Sequence, residues 1–273
     1  MIVLIDAGNT RIKAGWVDAA TGEREASALA LRHADIDLLP SWLGRLAGAP
    51  IAAIGVNVAG PAVARSLDAV FQRRHSFGVR WVGSQAHAAG VRNAYDVAAQ
   101  LGADRWVSMI GLAQHADSDS AAILASFGTA TTIDTLGPEA AGGQARPAGR
   151  LFHGGLIFPG PALMRSSLAA GTANLPEADG PAAAYPTHTH QAIASGIAAA
   201  QAGALLRQWR EGLDEFGRPP LVFSTGGGWS AIEDEARRLL ARAQADLGLP
   251  QQPIQWLSAP VLDGLARLAL APL

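Results

Sequence analysis

The chain contains no cysteine, which excludes disulfides and thiolate metal sites and leaves the redox compartment open. It carries no surplus of either charge. Its 21 Lys+Arg against 23 Asp+Glu give a net charge of -2 and a pI near 6.4, which excludes a broad basic surface for nucleic acid, though not a small basic pocket. No uninterrupted apolar stretch approaches membrane-spanning length. The amino-terminal apolar run lacks a basic region ahead of it and is broken by Asp6, so no signal peptide is expected. These absences lead us to expect a soluble cytoplasmic protein with neither a nucleic-acid nor a membrane partner. At 273 residues the chain can bury one large core or two smaller ones, and its mixed pattern of strands and helices prefers two.

What the sequence does have begins at once. Ile2 to Ile5 read as a buried strand, with the carboxylate of Asp6 at its end. Gly8-Asn9-Thr10 is a tight turn in which Gly8 is free to take φ > 0 and leaves backbone N–H groups uncovered for a small anion. Lys13, on the returning strand, can add a point charge to the same anion. A carboxylate for a hydrated cation, amides for phosphate and a nearby lysine are parts that phosphoryl transfer needs. The plain alternative is an ordinary hairpin whose Asp and Asn cap the turn.

Beyond it, Arg24–Leu31 is expected as a strand, 38–46 as a short helix with Pro40 near its start, 51–58 as a second buried strand and 61–71 as an amphipathic helix. With a short strand at 79–82 this describes an α/β layer. Asp104 and Arg105 fall at or just inside the start of an apolar helix running to about Gln114, where an anionic ligand is electrostatically comfortable. The alternative there is a capping carboxylate beside a solvated arginine.

His115 to Ser120 is a polar joint and the expected boundary between domains 1-116 and 117-273. The chain then resembles its own opening: over Ala121–Asp134, Ser126 takes the place of Asp6, Gly128 that of Gly8, and Thr129 and Ala130 those of Asn9 and Thr10, an offset of 126 − 6 = 120 residues. Such a repeat suggests two related domains whose turns line a shared cleft. Residues 142–150 form a loop of glycine and small residues, 154–161 a strand closed by a proline-glycine turn, 162–170 a helix ended by Gly171, and 175–187 a surface loop. His188 and His190 are placed in that loop as solvated histidines without a third metal ligand, ahead of a helix over 191–211. Leu221 to Ala231 reads as a strand, a triple-glycine turn and a helix start. Its Gly226-x-Gly228-x-x-Ala231 spacing lacks the acid that a nicotinamide site requires after a second strand, yet such a turn still suits a nucleotide's sugar or phosphates. A strand over 253–257 and a closing helix over 258–270 complete the reading.

Five motifs then occur in order: Asp6-x-Gly-Asn-Thr10, Gly102-x-Asp-Arg105, Phe127-Gly-Thr-Ala-Thr131, Gly154-Gly-x-x-x-Pro-Gly160 and Thr225-Gly-Gly-Gly228. Together they resemble the type III pantothenate kinases over almost the whole chain. Asn57-Val-Ala-Gly60 and His190-Gln-Ala-Ile-Ala-Ser-Gly196 look closest to the branch also called Bvg accessory factor. The resemblance implies the α/β fold of actin, acetate and sugar kinases and heat-shock chaperones: two ribonuclease-H-like domains around an ATP cleft, usually as a homodimer. It also implies ATP-dependent phosphorylation of pantothenate, the first step of coenzyme A synthesis.

By the same resemblance Asp104 matches the catalytic base. Asp6, Ala7, Gly8, Asn9, Thr10, Arg11, Ile12 and Lys13 match the ATP phosphate loop, with Thr129 as a second ATP contact. Gly102, Ala103, Asp104 and Arg105 match the pantothenate loop. Tyr95 looks like an aromatic contact to pantothenate, and Thr189 aligns with a contact arriving from the neighbouring subunit. Asp6 would hold Mg²⁺ through water. One departure stands out: the family pattern has an aspartate where this chain has Ser126, and that aspartate helps bind an activating monovalent cation, K⁺ or NH₄⁺. A serine hydroxyl adds no negative charge, so weaker or absent dependence on that cation is expected. Two other readings remain at this point, a non-catalytic nucleotide-binding regulator and another member of the same superfamily, such as a sugar kinase or a polyphosphate phosphatase.

Overall fold

The computed structural model describes residues 1–139 and 149–271, so most of the loop expected over 142–150 lies outside the described residues. The opening apolar run is β1 (Ile2–Ala7), which reverses through the Gly8 turn into β2 (Arg11–Val17). β3 (Leu29–Arg32) is shorter than the strand expected from Arg24, which makes only an isolated bridge to Val17. The cause lies in Glu25, whose carboxylate accepts the Trp16 N–H at 2.7 Å where a continuing strand would offer a backbone carbonyl. A 3₁₀ turn over His33–Leu38 leads to α1 (Leu39–Leu43), which stops short of the expected end at residue 46 and has Pro40 in its first turn.

β4 (Ala52–Asn57), α2 (Pro61–His75) and β5 (Val79–Trp81) follow as one strand-helix-strand unit. α2 runs a turn past the expected Phe71 because Arg73, Arg74 and His75 place basic side chains at its carboxyl end. Short β6 (His87–Ala88) and β7 (Val91–Asn93) precede α3 (Ala103–Leu112), which carries Asp104 in its first turn. The first sheet has the order β3-β2-β1-β4-β5, with β2 antiparallel to β1 and β3 antiparallel to β2. β4 is parallel to β1, and β5 to β4.

The chain then repeats this plan. β8 (Ala122–Phe127), β9 (Ala130–Pro138) and β10 (Arg150–Pro159) are followed by α4 (Pro161–Gly171), α5 (Thr189–Phe216), β11 (Leu221–Thr225), α6 (Glu233–Asp246), β12 (Gln255–Trp256) and α7 (Pro260–Leu270). In the second sheet the run β12-β11-β8-β9-β10 has the same order as β5-β4-β1-β2-β3, and β8 again pairs antiparallel with its hairpin partner and parallel with β11. Two sheets of this order are the two ribonuclease-H-like folds expected from the resemblance.

Two details of the repeat differ from the sequence reading. Ala7 pairs with Ile12, whereas Phe127 pairs with Thr131, so the second turn is one residue shorter and the offset of 120 drops to 119 on the returning strand. The residue matching Lys13 is therefore Thr132. Helix α5 also starts earlier than expected, at Thr189, with His188 capping it by accepting the Gln191 N–H at Nδ1 (3.4 Å). His188 and His190 thus belong to a helix start rather than to the loop.

The chain forms two compact units, one of Met1–Ser118, Glu139–Phe152 and Ala259–Leu273, the other of Asp119–Pro138 and His153–Ser258. In the first, Val3, Ile5 and Ala7 of β1 pack with Leu39, Leu67 and Phe71 of α1 and α2. The opposite side of the unit holds α3 against α7, where glycines allow the axes to close: a Cβ on Gly264 would sit 1.9 Å from the Val107 carbonyl oxygen. In the second unit, Ile123, Ala125 and Phe127 of β8 pack with Trp209 of α5 and Leu240 of α6.

Candidate active site

Strand alternation decides which residues meet in the first unit. Val3, Ile5 and Ala7 face α1 and α2, so Asp6 emerges on the opposite face, and its cross-strand partner there is Lys13. The Asp6 carboxyl is half-buried, and its pKa is pushed up from 3.8 to about 7. Burial is the main cause; Lys13 pulls the value down and the Asp104 charge pushes it up. Asp6 and Asp104, 98 residues apart in sequence, therefore feel each other's charge. Next to Asp6 the Gly8 N–H closes the turn on the Arg11 carbonyl at 3.0 Å. Gly8 is not in the left-handed region considered from sequence; a Cβ would lie 3.2 Å from that same carbonyl, so close approach is what favours glycine here. Beside this turn, Val58 N–H donates to the Ala7 carbonyl (2.9 Å), and Asn57 pins its own loop through Gly60, the one residue of that motif at positive φ (94°).

Asp104 is the second residue of α3, after Gly102 and Ala103, and its Oδ1 accepts the Arg105 N–H at 2.8 Å. Gly102 leaves the room this requires, since a Cβ there would stand 2.8 Å from Asp104 Oδ1. Arg105 is not the solvated neighbour considered above. It is 8 % exposed, donates from Nη1 to the Tyr95 hydroxyl at 3.0 Å, and lies about 6 Å over both the Tyr95 and Phe152 rings. Tyr95 and Phe152 stack at 5.8 Å. Asn93, nearly buried, sets this group by accepting the Tyr95 N–H at Oδ1 (3.0 Å) and donating to the Gln85 carbonyl. The sequence alone did not single out Phe152, because its only signal there was an apolar residue ahead of a glycine pair. It also held an unused signal at Lys13: that residue is the chain's single lysine among its 21 Lys+Arg.

In the second unit, three of the glycine motifs converge. The Gly160 N–H donates to the Thr129 carbonyl at 2.9 Å, and the Gly228 N–H to the Phe127 carbonyl at 2.9 Å. Gly226 has φ 97°, and a Cβ there would meet the Phe127 carbonyl oxygen at 2.4 Å. The helix start expected after the triple glycine is a 3₁₀ turn at Trp229–Ala231, which precedes α6. Ser126 is half-buried, with Thr132 and Thr225 as its partners on the adjacent strands, so hydroxyls stand where the first unit has Asp6, Lys13 and Val56. Thr189 is exposed at the first position of α5.

No group of three or more His, Cys, Asp or Glu among the described residues is arranged to hold a metal ion. A divalent cation at Asp6 would have to be completed by water and by ligand oxygens. A cavity of about 520 Å³ lined by Arg24, Gln114, Asp263 and Arg267 includes none of the turn residues. No helix of the described residues is long and apolar enough to cross a membrane.

Residues 2–211 match the family described as type III pantothenate kinase. A type III pantothenate kinase of Bordetella petrii is 50% identical over 273 residues, covering 100% of this chain and 98% of its own. That of Bordetella pertussis is 49% identical over 272 residues, covering 98% and 97%. Among solved structures, a putative Baf family transcriptional activator from Campylobacter jejuni aligns with a TM-score of 0.53 at 14% identity, over 97% of this chain and 96% of that one. A putative 2-dehydro-3-deoxygalactonokinase from Sinorhizobium meliloti aligns at 0.52 and 15% identity over 100% of both. At these identities the two structures speak for the fold alone.

Proposed function

The chain belongs to the type III pantothenate kinase family, and from that premise we propose how its residues divide the work of the reaction. It is a kinase that phosphorylates pantothenate with ATP at the head of coenzyme A biosynthesis. The observation that carries the assignment of residues is the Asp6–Lys13 pair beside the Gly8 turn, with the Asp104 charge acting on Asp6. The turn from Asp6 to Lys13 receives the ATP phosphates, with N–H groups and the lysine ammonium answering their charge. Thr129, on the second nucleotide turn in the 117-273 half, adds a further ATP contact.

Asp104 takes the proton of the pantothenate hydroxyl as its oxygen attacks the γ-phosphorus; the bond from that phosphorus to the β,γ-bridging oxygen breaks and ADP leaves. Gly102 and Ala103 present Asp104, while Arg105, preorganised by Tyr95 and Phe152, faces the substrate's carboxylate. Asp6 fits a hydrated Mg²⁺, because burial and Asp104 make its own charge costly and a cation would offset that cost. When bound, the ion neutralises phosphate charge during transfer. The hydroxyls around Ser126 supply neutral oxygens only, so activation by K⁺ or NH₄⁺ is weak or absent. The active form is a cytoplasmic homodimer, in which Thr189 of a second copy completes the acceptor site.

The assignment is tested by following ADP release with pantothenate and ATP in the wild type and in Asp104→Asn. The variant should lose transfer by a factor of about 10² or more while ATP binding persists. Wild-type turnover in that variant would remove Asp104 from the base role. Absence of ADP release by the wild type would point instead to a non-catalytic regulator.

A further inference from the structure

The turn assigned to the phosphates is held from outside its own hairpin. His33, the first residue after β3, places Nε2 2.8 Å from the Gly8 carbonyl oxygen. A carbonyl only accepts, so Nε2 carries the proton and the ring is either the Nε2–H tautomer or the imidazolium. Gly8 already donates its own N–H to Arg11. Both backbone groups of Gly8 are thus fixed, one within the hairpin and the other by the imidazole.

The consequence follows from peptide geometry. The Gly8 C=O and the Asn9 N–H belong to one planar trans peptide and point in opposite directions. Holding the carbonyl on His33 therefore aims the Asn9 N–H away from His33. A peptide beside glycine turns over at little steric cost, and in the flipped state its carbonyl, not its N–H, would face an anion. On either side of His33, Arg32 Nε and Nη2 bond Asp35 Oδ2 and Oδ1 at 2.7 and 3.1 Å across the same 3₁₀ turn. That pairing also offsets Arg32 where it stands opposite Arg11 in the β2–β3 register, a like-charge pair that would otherwise loosen the strand leading to His33.

We propose that His33 is a positioning residue for the nucleotide: its imidazole N–H locks the Gly8–Asn9 peptide so that the Asn9 N–H is presented to the ATP phosphates. This rests on reading Asp6 to Lys13 as the phosphate loop. The test compares His33→Ala and His33→Gln with the wild type, using calorimetric Kd values for MgATP and for adenosine, and KM values for ATP and pantothenate. Loss of one hydrogen bond and of the peptide orientation should weaken MgATP binding about tenfold in His33→Ala. Adenosine binding and the pantothenate KM should stay within about twofold. His33→Gln, which can donate to the same carbonyl, should recover to within about threefold. An unchanged MgATP Kd in His33→Ala, or parallel losses for MgATP and adenosine, would overturn the proposal. A wild type that releases no ADP would instead sink the kinase assignment, and the MgATP Kd values would still report on His33.

Discussion

Replacing Asp6 by Asn should make the ligand-free protein more stable while disabling it. The folded state raises this carboxyl from 3.8 to about 7, chiefly through burial. A raised acid binds its proton more tightly in the folded than in the unfolded chain, so its contribution favours folding below pH 3.8 and is lost as pH rises through about 7. Above pH 8 the ionised group then costs at most about 4 kcal/mol, from about 1.4 kcal/mol per pH unit. Solvent contact at this half-buried residue screens part of that, leaving about 2 kcal/mol. Asp6→Asn removes the charge and keeps the size, so at pH 8 its Tm should exceed the wild type's by about 4–8 °C in the absence of nucleotide. The gap should shrink steadily as pH falls to 5. Scanning calorimetry of both proteins from pH 5 to 8 gives the answer, with ADP release monitored alongside. Parallel Tm profiles across that range, or a variant less stable at pH 8, would refute the idea that Asp6 is held at a cost.

Three further outcomes follow from the same geometry. Gly102→Ala puts a Cβ 2.8 Å from Asp104 Oδ1 and should lower kcat about 10²-fold with Tm nearly unchanged, as steady-state kinetics and thermal melts will show. Gly264→Ala drives a Cβ into the Val107 carbonyl at the α3–α7 contact; it should destabilise by about 1–3 kcal/mol or more, read as a lower denaturant midpoint at unchanged m-value. Turnover in Na⁺ and K⁺ buffers of equal ionic strength should agree within about twofold, because Ser126 and its strand partners Thr132 and Thr225 bring hydroxyls without charge, and strong K⁺ activation would contradict this.

The two opening hairpins were legible because consecutive apolar residues followed by a glycine turn leave the backbone few choices. Ile2–Ile5 and Ala122–Ala125 became central strands, and Asp6 and Ser126 occupy equivalent places at their ends. Boundaries were less legible wherever a side chain took over a backbone partner. Glu25 shortened β3 by bonding Trp16, and His188 began α5 two residues early by capping it. The one-residue difference between the turns was hidden as well, since Gly/Thr sequences accommodate either length; only the strand register showed that Lys13 corresponds to Thr132.

The sequence by itself determined the two opening hairpins, the five motifs and hence the family, because these depend on local pattern and on residue identity. Tertiary structure decided what those residues became chemically. It brought Asp104 within electrostatic reach of Asp6, turned Arg105 inward against Tyr95 and Phe152, and closed the Thr129 turn with Gly160. A carboxylate's pKa and an arginine's orientation are set by neighbours distant along the chain, and their placement exists only once the sheets and helices have packed.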